Sequence, residues 1–126
     1  MASEASTIAS GLVAALNARD YATVAAYADE DVAIAGIGEG SETGRAALRD
    51  RLARHFAVFD ESFGDVAVMT AEGGTPMAIR LTARGRDASG KSYATEKVLL
   101  LEIDGGLVTR LALLADAGDL VRQLAG

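Results

Sequence analysis

Ser92-Tyr-Ala-Thr-Glu-Lys-Val-Leu-Leu-Leu-Glu-Ile-Asp-Gly-Gly-Leu-Val-Thr-Arg-Leu-Ala-Leu-Leu-Ala-Asp116 is the stretch whose reading decides the fold. Two apolar runs flank Asp104-Gly105-Gly106, the composition of a tight hairpin turn. A two-residue and a four-residue turn give the same facing. Tyr93, Thr95, Lys97, Leu99, Leu101 and Ile103 then share one side with Val108, Arg110, Ala112, Leu114 and Asp116. Val98 and Leu100 share the other side with Leu107, Leu111 and Leu113. Both sides are apolar at their centre, so both must be covered.

Upstream, Met77–Arg86 alternates with the period of a strand: Met77, Ile79, Leu81 and Ala83 on one side, Arg80, Thr82, Arg84 and Arg86 on the other. The arginines read as a solvated or subunit-facing surface paired with Glu96 and Glu102. Val66–Ala71 predicts another strand, with Glu72–Pro76 as the turn between them. The first half of the chain follows helical spacing instead. Ile8, Leu12, Ala15 and Leu16 define a helix over 3–18, capped by Ser3 or Ser6. A short helix over 21–28 follows, ended by Asp29-Glu30-Asp31, and then a strand over 32–37. Gly36, Gly38 and Gly40 form a flexible loop; its acidic Glu39 and Glu42 and its lack of a P-loop lysine argue against phosphate. Thr43-Gly44-Arg45 opens a third helix reaching Val58, with Leu48, Leu52, His55, Phe56 and Phe59 on one stripe. A short helix over 118–124 ends the chain. Helices early and a meander late give an α+β fold in a single domain, 1–126.

The formal charge of −6 has no basic cluster to offset it, which excludes nucleic acid and anionic membrane as natural partners. There are no cysteines and one histidine, so a thiol nucleophile and the usual zinc ligand sets are excluded. No metal or other cofactor is expected. The apolar run at 8–16 is too short and too interrupted for a signal peptide or membrane span, and a cytoplasmic protein is the expectation.

Specific residues add a resemblance. Leu12–Asp20, followed by Val24–Ile34, resembles the two opening helices and first strand of the nuclear transport factor 2-like superfamily, which includes SnoaL-like polyketide cyclases and ketosteroid isomerases. Thr43–Arg49 is similar to its third-helix start, and Gly106–Asp116 to its last strand. The resemblance implies a cone-shaped, curved, mixed sheet that encloses an apolar pocket, closed by three helices. It also implies a homodimer packed through the outer sheet face, and a hydrophobic small molecule as partner. The isomerase chemistry does not carry over. Leu12 stands where that family's Tyr belongs, Ala35 at its Asp base, and Lys97 (or Glu96, one residue off) at its second Asp. Asp116 approximates the aspartate of SnoaL-like cyclases.

Candidate catalytic residues are therefore Asp116, His55 and Lys97. Tyr93, Thr95, Arg110, Leu12, Leu52, Phe56, Leu99, Ala112 and Leu114 are candidate substrate contacts. Asp116 competes for the role of cap on the terminal helix, and Lys97 must be paired, at a pocket mouth, or functional, because burying it alone costs several kcal/mol. Two functions follow: an isomerase- or cyclase-type acid–base enzyme on a hydrophobic carbonyl compound, or a non-catalytic binding or dimerisation domain.

Overall fold

The structure is a computed structural model, which describes residues 4–38 and 40–125. Ser3 and Glu39, singled out above, lie outside the described residues. Helices α1 (Glu4–Asn17) and α2 (Tyr21–Ala26) lead into β1 (Ala28–Ala35) and the two-residue β2 (Glu42–Thr43). Then come α3 (Arg45–Val58), β3 (Asp60–Thr70), β4 (Met77–Arg86), β5 (Ser92–Asp104), β6 (Leu107–Ala115) and α4 (Ala117–Ala125). The six strands form one mixed sheet in the order β2-β1-β6-β5-β4-β3, with β1 parallel to β6 and the other pairs antiparallel. The sheet does not close: β3 and β2 are its edges. This is the expected α+β architecture, with the core between helices and inner sheet face.

Local chemistry explains the joints. Asp20 caps α2, accepting from the Thr23 amide at 3.1 Å and from the Thr23 hydroxyl at 2.6 Å. Asn17, the last residue of α1, uses its amide as a strand would: Nδ2 donates to the Phe63 carbonyl at 3.0 Å and Oδ1 accepts from the Phe63 amide at 2.7 Å. Two residues on, Arg19 donates to the Glu61 carbonyl at 2.6 Å and lies 4.0 Å above the Phe56 ring. The end of α1 thus pins the start of β3, an edge whose backbone groups lack a neighbouring strand.

Three expectations change. Strand β3 begins at Asp60, six residues before Val66, and β1 begins at Ala28, so Asp29–Asp31 lies within a strand. Arg84 pairs with Asp65 at 3.0 Å, while Glu102 approaches Arg110 at 3.9 Å; the arginine row does not pair with Glu96 and Glu102 as expected. The third correction concerns the hairpin. Its turn is two residues, Gly105-Gly106, both at positive φ (59° and 79°), and Ile103 pairs with Val108. The register then slips: Glu102 pairs with Arg110, leaving Thr109 as the extra residue of a β-bulge. One added residue reverses the facing of everything beyond it. Leu111 and Leu113 therefore join Leu99 and Leu101 in the core, whereas Arg110, Ala112 and Leu114 lie on the outer face with Val98 and Leu100.

Candidate active site

The inner face of β5 carries Tyr93, Thr95 and Lys97, each 5% exposed or less. A lysine so placed needs a counter-charge, and β3 supplies it. Glu61, 1% exposed, alternates with Phe63 toward the interior, away from Asp60 and Ser62. Lys97 Nζ donates to Glu61 Oε1 at 2.8 Å, His55 Nε2 meets the same oxygen at 2.9 Å, and the Tyr93 hydroxyl donates to Glu61 Oε2. One carboxylate on β3 gathers side chains from the last turn of α3 and from β5.

Backbone geometry makes the meeting possible. Glu61, Gly85 and Tyr93 are cross-strand neighbours in one row. A Cβ on Gly85 would lie 2.6 Å from Glu61 Cβ and 2.6 Å from the Asp60 carbonyl oxygen. Glycine at this position leaves Glu61 and Tyr93 free to reach each other over the intervening strand.

The electrostatics fix the protonation states. Burial pushes the Glu61 carboxyl up, but hydrogen bonds from His55 and Lys97, the Lys97 charge and the Tyr93 hydroxyl outweigh it and hold the pKa down at about 2. Glu61 is therefore an anion near neutral pH with no proton to give. Burial and the neighbouring Glu61 push Tyr93 upward, so its phenol stays protonated and donates. His55 Nε2 must carry the hydrogen it shares with Glu61. In the neutral ring the lone pair then sits on Nδ1, which is free to accept a proton. The arrangement is a carboxylate–imidazole pair anchored by a buried ammonium and a phenol.

Exposure separates the roles. His55 retains 15% of its side-chain exposure, while those of Glu61 and Lys97 retain 0% and 4%. His55 also lines an enclosed apolar cavity of about 20 Å³ with Leu52, Phe56, Phe63, Leu99 and Leu113. That volume holds about one water. Of the expected contacts, Leu52, Phe56 and Leu99 border this cavity; Leu12 is buried elsewhere in the core.

Other candidates lie apart. Asp116 is exposed and caps α4, accepting from the Asp119 amide at 3.0 Å; it does not join the cluster. Thr95 donates its hydroxyl to Asp119 Oδ2 at 3.2 Å. Arg110, Ala112 and Leu114 were expected inside, and the bulge at Thr109 turns them outward. Glu61 was missed. Its signal was the demand of Lys97 for a partner, together with the alternation of Glu61 and Phe63.

No helix among the described residues is long and apolar enough to cross a membrane. Comparison with the curated proteins finds no match. Solved structures share the fold. A candidate polyketide cyclase of Xanthomonas campestris pv. campestris superposes with a TM-score of 0.89 at 23% identity, covering 96% of each chain. A candidate polyketide cyclase of Pseudomonas putida KT2440 gives 0.87 at 21% identity, covering 98% of each. TerC, crystallised with polyporic acid, gives 0.84 at 16% identity over 98% of this chain and 100% of its own. The SnoaL-like domain model matches residues 9–111, and the chain therefore belongs to the SnoaL-like domain family.

Proposed function

We propose that this protein is an acid–base enzyme of isomerase or cyclase type, acting on a hydrophobic, enolisable carbonyl compound. The observation that carries the reading is the buried Glu61 carboxylate holding His55 in the tautomer whose Nδ1 accepts a proton. In the reaction, Nδ1 takes the hydrogen from the carbon beside the carbonyl. That C–H bond breaks, an N–H bond forms, and the electron pair passes to the carbonyl oxygen as an enolate. The imidazolium, stabilised by Glu61, returns the proton to carbon or oxygen. Lys97 and Tyr93 are positioning residues, since both donate to Glu61. This departs from a direct role for Lys97 at the substrate.

The test is hydrogen–deuterium exchange at the α-carbon of aryl β-diketones in D₂O, followed by proton NMR. Wild type should accelerate exchange, and His55→Gln should lose roughly 10²- to 10⁴-fold of that rate. Equal rates with and without protein would end the reading.

A second reading, a non-catalytic binding or dimerisation domain, is favoured by the nearly filled interior and by the outer face of the sheet. Ala35, Ala112, Leu100, Ala78 and Met69 form one cross-strand apolar row over five strands, and Leu114 and Met69 are each 51% exposed. A second copy of the chain fits such an apolar surface, in either reading.

A further inference from the structure

A ligand needs both room and a route to His55, and the two sides of the imidazole differ in what they offer. Inward lies the 20 Å³ apolar cavity. Outward lies a cleft of about 490 Å³ between α3 and the loop that follows β1, lined by Gly38, Glu42, Arg51, Arg54, Val58 and Phe59 along with His55. The second volume is within the range of small-molecule sites, roughly 300–1,000 Å³; the first is far below it. His55 is the residue common to both linings.

The chemistry of the cleft is divided. Arg51 is committed to the fold: Nη1 donates to the Ile37 and Gly40 carbonyls, each at 2.8 Å, and Nε and Nη2 hold Glu42 Oε1 at 2.8 and 2.7 Å. That pairing also neutralises the Glu42 carboxylate. Arg54 is different. Its guanidinium is exposed, and among the described residues it makes one long bond, from Nε to the Asp50 carbonyl at 3.4 Å on its own helix. The rest of the cleft beside His55 is apolar, with Val58 48% exposed and the Phe59 ring centred 5.3 Å from the imidazole.

We infer that this outer cleft binds a small hydrophobic carboxylate, with its carboxylate on Arg54 and its apolar body against Val58 and Phe59, in the lining they share with His55. The inference deepens the acid–base reading of His55 by naming a substrate class and an entry side. Charge-assisted bonds to the exposed Arg54 guanidinium supply orientation, and the exposed apolar wall supplies affinity.

His55 is the sole histidine, so its ring gives an unambiguous imidazole ¹H–¹⁵N signal. Titration with 2-naphthoate should shift that signal saturably, with at least tenfold tighter binding than the uncharged 2-naphthamide. Arg54→Met, an exposed change compatible with folding, should abolish the preference and leave amide binding intact. Arg122→Met, on α4, should retain it. An unshifted His55 signal at saturating 2-naphthoate, equal affinities in wild type, or an unaltered preference in Arg54→Met would each overturn the inference. Failure of the catalytic reading looks different: naphthoate still binds, but no β-diketone exchange is seen.

Discussion

Glu61 and Tyr93 touch over the bare backbone of Gly85, three strands forming one bond between side chains that are not on adjacent strands. Gly85→Ala should therefore damage the site more than a surface strand substitution does. A methyl group 2.6 Å from Glu61 Cβ forces the Glu61 side chain aside. The expected outcome is a loss of about 1–3 kcal/mol in urea unfolding, the usual cost of overpacking, together with a changed His55 imidazole shift. A stable variant with an unchanged shift would refute the role given to this glycine.

The Glu61–Lys97 pair predicts non-additive mutants. Glu61→Gln alone strands a buried ammonium and should destabilise by about 3–5 kcal/mol. Glu61→Gln combined with Lys97→Met removes both charges and should recover much of that loss. Urea unfolding of the wild type, both single variants and the double variant measures the coupling. Additive losses would show that the two groups do not act as a pair.

Acid should weaken the fold through the same carboxylate. Glu61 is held at about 2, below its ordinary value of 4.5, so the folded state binds its proton less readily than the unfolded chain. The resulting stabilisation is fully present above pH 4.5 and is lost as pH falls through that value toward 2. Its size is of the order of 3 kcal/mol, from about 1.4 kcal/mol per pKa unit. Urea midpoints between pH 6 and pH 3 should fall steeply in wild type and less in the Glu61→Gln/Lys97→Met variant. Parallel slopes would remove Glu61 as the cause.

The outer apolar row predicts a dimer. Light scattering on a sizing column should give about twice the 12.9 kDa chain mass for wild type and the chain mass for Leu114→Glu, whose side chain is already 51% exposed. Leu111→Glu should instead unfold the protein, because Leu111 is 3% exposed within the core. A monomeric wild type would discard the interface.

Much of the architecture was legible because long-range order leaves a periodic trace. Helical spacing at Leu12 and Leu16, strand alternation over Met77–Arg86, and the Gly105-Gly106 turn each announce their element. The need of Lys97 for a partner was legible too, since a buried ammonium cannot stand alone. The partner was not. Glu61 lies 36 residues away in sequence, in Asp60-Glu-Ser-Phe-Gly64, where Asp60, Ser62 and Gly64 favour turns over strands. That segment is extended because Asn17, Arg19 and β4 hold it, an influence that local propensity does not carry. Asp116 was equally ambiguous: a carboxylate ahead of a helix and a carboxylate at a site look alike until the amide of Asp119 is placed beside it.

Thr109 has a consequence beyond its own strand. Deleting this one residue would close the bulge and leave every pair beyond it in place, Arg110 opposite Glu102 and Leu111 opposite Leu101, so Leu111 and Leu113 would stay in the core and Leu114 outside. Hairpin length here behaves as a reading frame. A relative that is shorter by a residue between Ile103 and Arg110 should carry its large aliphatic side chains one position nearer the turn yet opposite the same neighbours, and aligning the two without a gap would assign every one of them to the wrong compartment.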